Sequence, residues 1–225
     1  MKLRTYFSFW LPLALLGLAG PAFAAGKPGK LPKKGGRDEV VTLTTAQGVI
    51  RLVLFDDTPL HKANFLQKAR SGFYNGTTFH RVIPDFMIQG GDANSKDADP
   101  ANDGLGQPGE GTIPAELGAG HAHAYGAVAA ARQGDFANPQ RASSASQFYL
   151  VENHAGTHFL DGQYTVFGQV IQGLDVVDKI AKLPRDGRDR PTADLTMTVG
   201  VEKLRRKKIA KLYGYTYGER PTAVN

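Results

Sequence analysis

Between Glu39 and Val201 the apolar residues arrive in short bursts closed off by glycine, proline, asparagine or aspartate. Examples are Val49 to Leu54, Phe79 to Val82, Phe86 to Ile88, Ala127 to Ala131, Phe148 to Val151, Val166 to Val170 and Leu195 to Val201. Bursts of this length suit strands and are too short for most helices. Many short strands in one chain point to a mainly β protein, barrel or sandwich, and closure into a barrel has the merit of removing exposed sheet edges. The chain has no cysteine, which excludes disulfide staples, thiol catalysis and cysteine metal sites. The fold must hold by its core, and about 200 residues suffice for one domain to bury roughly 70% of the surface its unfolded chain exposes.

Val41 and Leu43 followed by Val49, Leu52 and Leu54 surround the turn-prone Gln47-Gly48 and predict an opening hairpin. Thr58-Pro59 reads as a helix start, with Thr58 as the cap and Pro59 in the first helical position; Ala63, Phe65, Leu66 and Ala69 supply the apolar side before Gly72. Strands are expected over 78–82 and 86–90, joined by a turn at Ile83-Pro84-Asp85, and further ones over 127–131, 147–151, 166–170 and 195–201. Leu174, Val177 and Ile180 lie at helical spacing and predict a second short helix. Residues 93–112 have no hydrophobic period and form a long surface loop.

Both ends of the chain differ from its middle. Lys2 and Arg4, an apolar stretch from Phe7 to Leu18 and the small-residue run Ala22-Phe23-Ala24 form a secretory signal peptide, residues 1–24, cut after Ala24. The apolar stretch is short of the ~20 residues that cross a bilayer, so no stable membrane insertion is expected after cleavage, and the protein is placed in the periplasm or outside the cell. Residues 25–38, rich in Gly, Pro and Lys, read as a flexible basic linker. The folded domain is assigned to 39–203. In the basic tail, 204–225, Leu204, Ile209 and Leu212 stand among cations as in a short amphipathic helix. The formal charge of +6 falls to about +4 once Lys2 and Arg4 leave, much of it at the two ends. That is weak evidence for a nucleic-acid partner, and none is expected.

The segment from Phe79 to Asp92, FHRVIPDFMIQGGD, sets the single cation Arg81 among apolar side chains with the long amide Gln89 eight residues on. Together with Ser146-Gln147-Phe148-Tyr149, Phe159-Leu160-Asp161-Gly162 and Val166-Phe167-Gly168, in that order, it resembles the signature of the cyclophilins, the peptidyl-prolyl cis/trans isomerases. The resemblance covers roughly residues 39–203. It implies a closed eight-stranded antiparallel β-barrel capped by two α-helices, with substrate in a groove on the outer surface. It also implies that Arg81 is the catalytic arginine and Gln89 its support, and that Phe86, Met87, Tyr149 and Leu160 wall a proline pocket. By the same resemblance Ala131, Arg132, Gln147, Phe159 and Tyr164 border the substrate, with Arg132 standing where many members have Asn.

Physical chemistry agrees with those residue types. Amide rotation is slow because resonance gives C–N partial double-bond character, and uncatalysed X-Pro isomerisation takes about 10 to 100 s. No bond is made or broken, so no cofactor or metal is required; a catalyst must favour the twisted state in which the prolyl nitrogen becomes basic. An always-charged guanidinium is a suitable donor to that nitrogen, and aromatic, thioether and aliphatic groups grip a saturated ring without competing hydrogen bonds. His80 is read as a structural, hydrogen-bonded histidine, since rotation needs no proton removal. The expected partners are proline-containing unfolded or flexible polypeptides, met by a monomer that assists folding outside the cytoplasm. The rival reading is a proline-segment binding module or holdase with little turnover.

Three positions depart from the family pattern. Phe159 lies where cyclosporin-sensitive members carry Trp, Tyr164 where many have His, and Tyr149 where Phe is more frequent, so that the Tyr149 hydroxyl needs a partner at the pocket's edge. Weak cyclosporin binding is the expected consequence. Other signals carry less: Gly104 to Gly109 has the letters of a dinucleotide fingerprint without its strand and helix, Asp97 to Gly104 lacks the spacing of a calcium loop, and His121 and His123 are read as exposed loop.

Overall fold

The computed structural model describes residues 36–218. The predicted signal peptide, most of the linker and the end of the tail lie outside the described residues. In chain order the elements are β1 Arg37–Thr45, β2 Gly48–Leu54, α1 Pro59–Arg70, β3 Phe79–Ile83, β4 Met87–Gly90, β5 Thr112–Ile113, β6 Ala127–Ala130, β7 Ser143–Ser144, β8 Phe148–Val151, β9 Val166–Gln172, α2 Leu174–Ala181, β10 Thr198–Arg205 and α3 Arg206–Tyr213. Eight strands form one sheet in the order β10-β1-β2-β9-β6-β8-β4-β3, and β5 pairs with β7 alone. Every pairing is antiparallel.

The sheet curls until its two edges meet, but β3 and β10 share no ladder. Thr78 forms a single bridge with Thr196, and the amides of Phe79 and Met197 donate to Leu195 O at 3.1 Å and Thr77 O at 2.9 Å. The expected closed barrel is therefore a curled sheet stitched at one point of its seam. The physical reason lies in β10, which begins at Thr198, beyond the bridge, and runs on to Arg205 opposite Arg37 of β1; the ladder expected from Leu195 went to β1 instead.

Alternation along the strands fills the interior: Val41, Leu43, Ile50, Leu52, Val82, Ile88, Val128, Phe148, Leu150 and Phe167 belong to one buried cluster. Phe65 of α1 joins it, stacked on Tyr74 at 4.8 Å and edge-on to Phe148 at 5.3 Å between centroids. The helices occupy opposite ends of β2. Val176 of α2 packs against Gly48 at its start, whereas α1 follows its other end, where Phe65 meets Phe167. Thr58 and Pro59 open α1 as predicted, but the Thr58 side chain does not do the capping. The Thr58 hydroxyl turns back to donate to Phe55 O at 3.3 Å, and the carboxylate of Glu116 accepts the amides of Leu60 and His61 at 3.0 Å each. In the tail, Leu204 and Ile209 are buried beside Val40 and Val53, while Leu212 is 54% exposed.

Candidate active site

The strands that line the interior with one set of side chains present the other set outward. On β4, β8 and β6 the outward residues are Met87 and Gln89, Tyr149 and Val151, and Ala127 and Ala129. Directly opposed pairs place Gln89 beside Tyr149 and Tyr149 beside Ala129. Met87, Tyr149, Ala127, Ala129, Val151 and Val166 make a second buried cluster, flanked by Phe86, Ala131, Leu160 and Tyr164. This apolar platform lies on the outer face of the sheet.

Arg81 reaches that face through an irregularity. Phe79 pairs with Gly90 and Arg81 with Gln89, so His80 is an extra residue in β3. Side chains alternate with period two, and one inserted residue reverses which face the following residues take. Phe79 and Val82, three apart, both point into the core, and Arg81 comes out opposite Gln89. His80 is buried, with neither ring nitrogen hydrogen-bonded within the described residues. The expected hydrogen-bonded histidine is thus corrected to an unpartnered one, and burial pushes its pKa below the usual histidine value against the pull of Asp92 and Asp103.

A cavity of about 370 Å³ opens on the platform, lined by Arg81, Phe86, Met87, Gln89, Ala131, Arg132, Tyr149, Leu160 and Tyr164. The sequence named all nine. Phe159 stands at its margin, 71% exposed, its ring stacked on Phe86 at 5.9 Å. Gln147 lines a neighbouring cavity of about 620 Å³ that shares Gln89, Gly104, Leu105, Ala131 and Arg132 with the first. The two form one groove.

One expected contact is replaced by another. Gln89 donates its amide to Gln147 Oε1 at 2.9 Å, and Gln147 in turn donates to Gly104 O at 3.0 Å; among the described residues no hydrogen bond joins Gln89 to Arg81. The Arg81 guanidinium lies instead 4.0 Å from the carboxylate of Asp189, whose carbonyl accepts the Val82 amide at 2.8 Å. Arg132 is spent internally: it donates to Gln163 O at 3.0 Å and to Asp135 at 2.6 Å and lies over the Tyr164 ring at 4.3 Å.

The long loop and the segment before β10 supply lining that the sequence did not reveal: Pro100, Asp103, Leu105, Arg188 and Arg190. Arg190 locks them together through Asp103 at 2.6 Å and Asp194 at 2.5 Å. Burial works against that guanidinium, and the two carboxylates more than offset it. The prediction for the two histidines is also corrected. His121 is packed on Phe55 at 4.1 Å and bonded to Asp57 at 2.8 Å. His123 is fully buried and takes the Tyr149 hydroxyl at 2.9 Å. Nothing local in the sequence signals these partners, which lie 64 and 26 residues away.

Apolar walls from Phe86, Met87, Tyr149 and Leu160, with the partly exposed Arg81 guanidinium in the same lining, suit a saturated ring beside a nitrogen that needs a donor. Residues 40–201 match the family described as cyclophilin type peptidyl-prolyl cis-trans isomerase. A peptidyl-prolyl cis-trans isomerase of Acinetobacter baylyi is 40% identical over 153 residues, 64% of this chain and 73% of that one. The human peptidyl-prolyl cis-trans isomerase-like 1 is 37% identical over 156 residues, 69% of this chain and 87% of that one. Among solved structures, a cyclophilin of Cryptosporidium parvum superposes with a TM-score of 0.62 at 25% identity, covering 74% of this chain and 98% of that one. The chain belongs to the cyclophilin-type peptidyl-prolyl cis-trans isomerases.

Proposed function

We propose that the protein accelerates cis/trans rotation about X-Pro bonds in unfolded or flexible polypeptides, with the proline ring in the Phe86, Met87, Tyr149 and Leu160 cavity and Arg81 donating to the prolyl nitrogen. The observation that carries this reading is the placement of Arg81 on the outer face, in the same lining as those apolar side chains. In the planar amide the nitrogen lone pair is delocalised and offers nothing to a donor; in the twisted state it is localised and basic. The Arg81 bond therefore strengthens as the barrier is climbed, which is what lowers it. Asp189 holds the guanidinium near the cavity, the part first assigned to Gln89. Gln89 and Gln147 fix the groove floor to the long loop through Gly104.

The site of action is outside the cytoplasm, supported by Lys2, Arg4, the apolar stretch and Ala22-Phe23-Ala24. No described helix is long and apolar enough to cross a membrane. The protein acts as a monomer without a nucleic-acid partner. Fractionation of the producing cell with amino-terminal sequencing tests the first point, Ala25 being the expected first residue.

Turnover is tested by NMR exchange on a proline tetrapeptide. Exchange that is fast with the native protein and falls with Arg81→Ala, at little change in peptide affinity, is the expected result. Peptide binding without acceleration in either protein would leave a proline-segment binding module in the enzyme's place.

A further inference from the structure

The Tyr149 ring walls the proline cavity, yet its hydroxyl, a group a saturated ring has no use for, is led away beneath it. The phenolic oxygen lies 2.9 Å from Nε2 of His123, with the two rings 13° from parallel. Nδ1 of His123 lies 2.8 Å from Oδ1 of Asp161, which also accepts the His123 amide at 2.7 Å. A carboxylate only accepts, so Nδ1 carries the proton, Nε2 carries the lone pair, and the Tyr149 hydroxyl donates to it.

Asp161 in turn closes the short turn His158–Leu160, which carries Leu160 of the cavity wall, and its Oδ2 takes His158 Nδ1 at 3.0 Å. The Thr157 amide donates to His123 O at 2.8 Å. One buried imidazole thus joins two walls of the cavity that come from separate parts of the chain. We propose that His123 and Asp161 are positioning residues for substrate binding: they hold the Tyr149 hydroxyl out of the proline cavity and fix the Leu160 turn against it. The assignment rests on the cavity being the proline site.

The groups facing His123 are Asp161 and His158 from the turn and Tyr149 from β8; Tyr164 and Arg132 face Tyr149 in their turn. Burial lowers the His123 pKa, and Asp161 opposes this only in part, so the ring is neutral at pH 7. On acidification Nε2 gains a proton and becomes a donor. The Tyr149 hydroxyl then has no acceptor below it, and its proton turns toward the cavity.

The test is the dissociation constant of the proline tetrapeptide by NMR titration, which reports on the cavity whether or not exchange is accelerated. With His123→Leu the constant is expected to rise about tenfold, because the hydroxyl loses its acceptor. In the double variant His123→Leu with Tyr149→Phe it returns to within about twofold of native, because the hydroxyl is gone. As pH falls and the His123 ring gains its proton, followed by its own NMR shifts, the native affinity weakens, whereas Tyr149→Phe stays level. A double variant no better than His123→Leu, or native affinity that holds while the NMR shifts report protonation of His123, overturns the proposal. Should His123→Leu fail to fold, the Tyr149→Phe profile decides: a level line supports the assignment, and the native slope retained without the hydroxyl sinks it.

Discussion

The inner and outer faces of β3, β4, β8 and β6 share one backbone and follow different rules. Inward, Val82, Ile88, Val128, Phe148 and Leu150 are almost wholly buried and make only apolar contacts. Outward, Arg81, Gln89, Tyr149 and Ala129 include a partly exposed cation and amide hydrogen bonds on top of an apolar platform. The inner set is answerable to stability and the outer set to chemistry. A sheet two residues deep in pattern separates the two demands because, outside the bulge at His80, neighbouring residues take opposite faces.

Substitutions should separate along the same line. Phe148→Ala opens a cavity among Phe65, Tyr74 and Phe79 and is expected to cost about 3–5 kcal/mol in urea unfolding, with the surviving folded fraction still active. Arg81→Ala should do the reverse: a loss of about 10²–10³-fold in exchange rate, comparable to removing one transition-state donor, with the thermal midpoint unchanged, since the side chain is 44% exposed. If Phe148→Ala instead lowered the rate of folded protein as much as Arg81→Ala, the two faces would not be separable.

A smaller effect belongs to neither face. Glu116→Ala removes the acceptor of two α1 amides and the partner of His61 and is expected to cost about 1–2 kcal/mol by denaturant titration, without moving peptide affinity. Acid sharpens the comparison further. His80 and His123, one at the bulge and one under the platform, have pKa values lowered chiefly by burial, so below about pH 6.5 the unfolded chain binds protons that the folded chain refuses. Stability is therefore full above that pH and drains as pH falls toward their depressed values. The carboxylates of Asp161 and Glu116 come later. Burial raises their pKa, but hydrogen bonds, His123 and His158 for one and His61 for the other, outweigh it; their contribution persists above the ordinary carboxylate range and is lost at lower pH. Thermal midpoints measured across pH should show the histidine phase first, and a midpoint flat from pH 7 to pH 5 would contradict it. The smallest effect expected is on cyclosporin. With Phe159 in place of Trp, isothermal titration should return a dissociation constant above about 1 μM.

Much of this was legible in the sequence because it is local. Pro59 announced α1, the 3.6-residue spacing of Leu174, Val177 and Ile180 announced α2, and the strand-turn-strand pattern around Pro84 placed Phe86, Met87 and Gln89 together. What was missed is held by pairs distant in sequence: Glu116 with Leu60 across 56 residues, Gln89 with Gln147 across 58, and Arg190 with Asp103 across 87. Such pairs leave no period or spacing to read. His123 misled because a histidine between alanines near Gly120 looks like loop. Its burial is decided by Tyr149 and Asp161, neither of which is near it in the chain.

The single extra residue at His80 reaches further than its own strand. Paired without the bulge, Phe79 and Arg81 would stand two apart on one face, and the same chain would carry its guanidinium inward beside Phe79. Deleting His80 would leave Phe79 and Arg81 adjacent and still on opposite faces, so what decides the side of Arg81 is the pairing of β3 with β4. The groove is thus held by register as well as by side chains: a variant that keeps every groove residue but pairs β3 with β4 without the bulge loses the guanidinium from the surface.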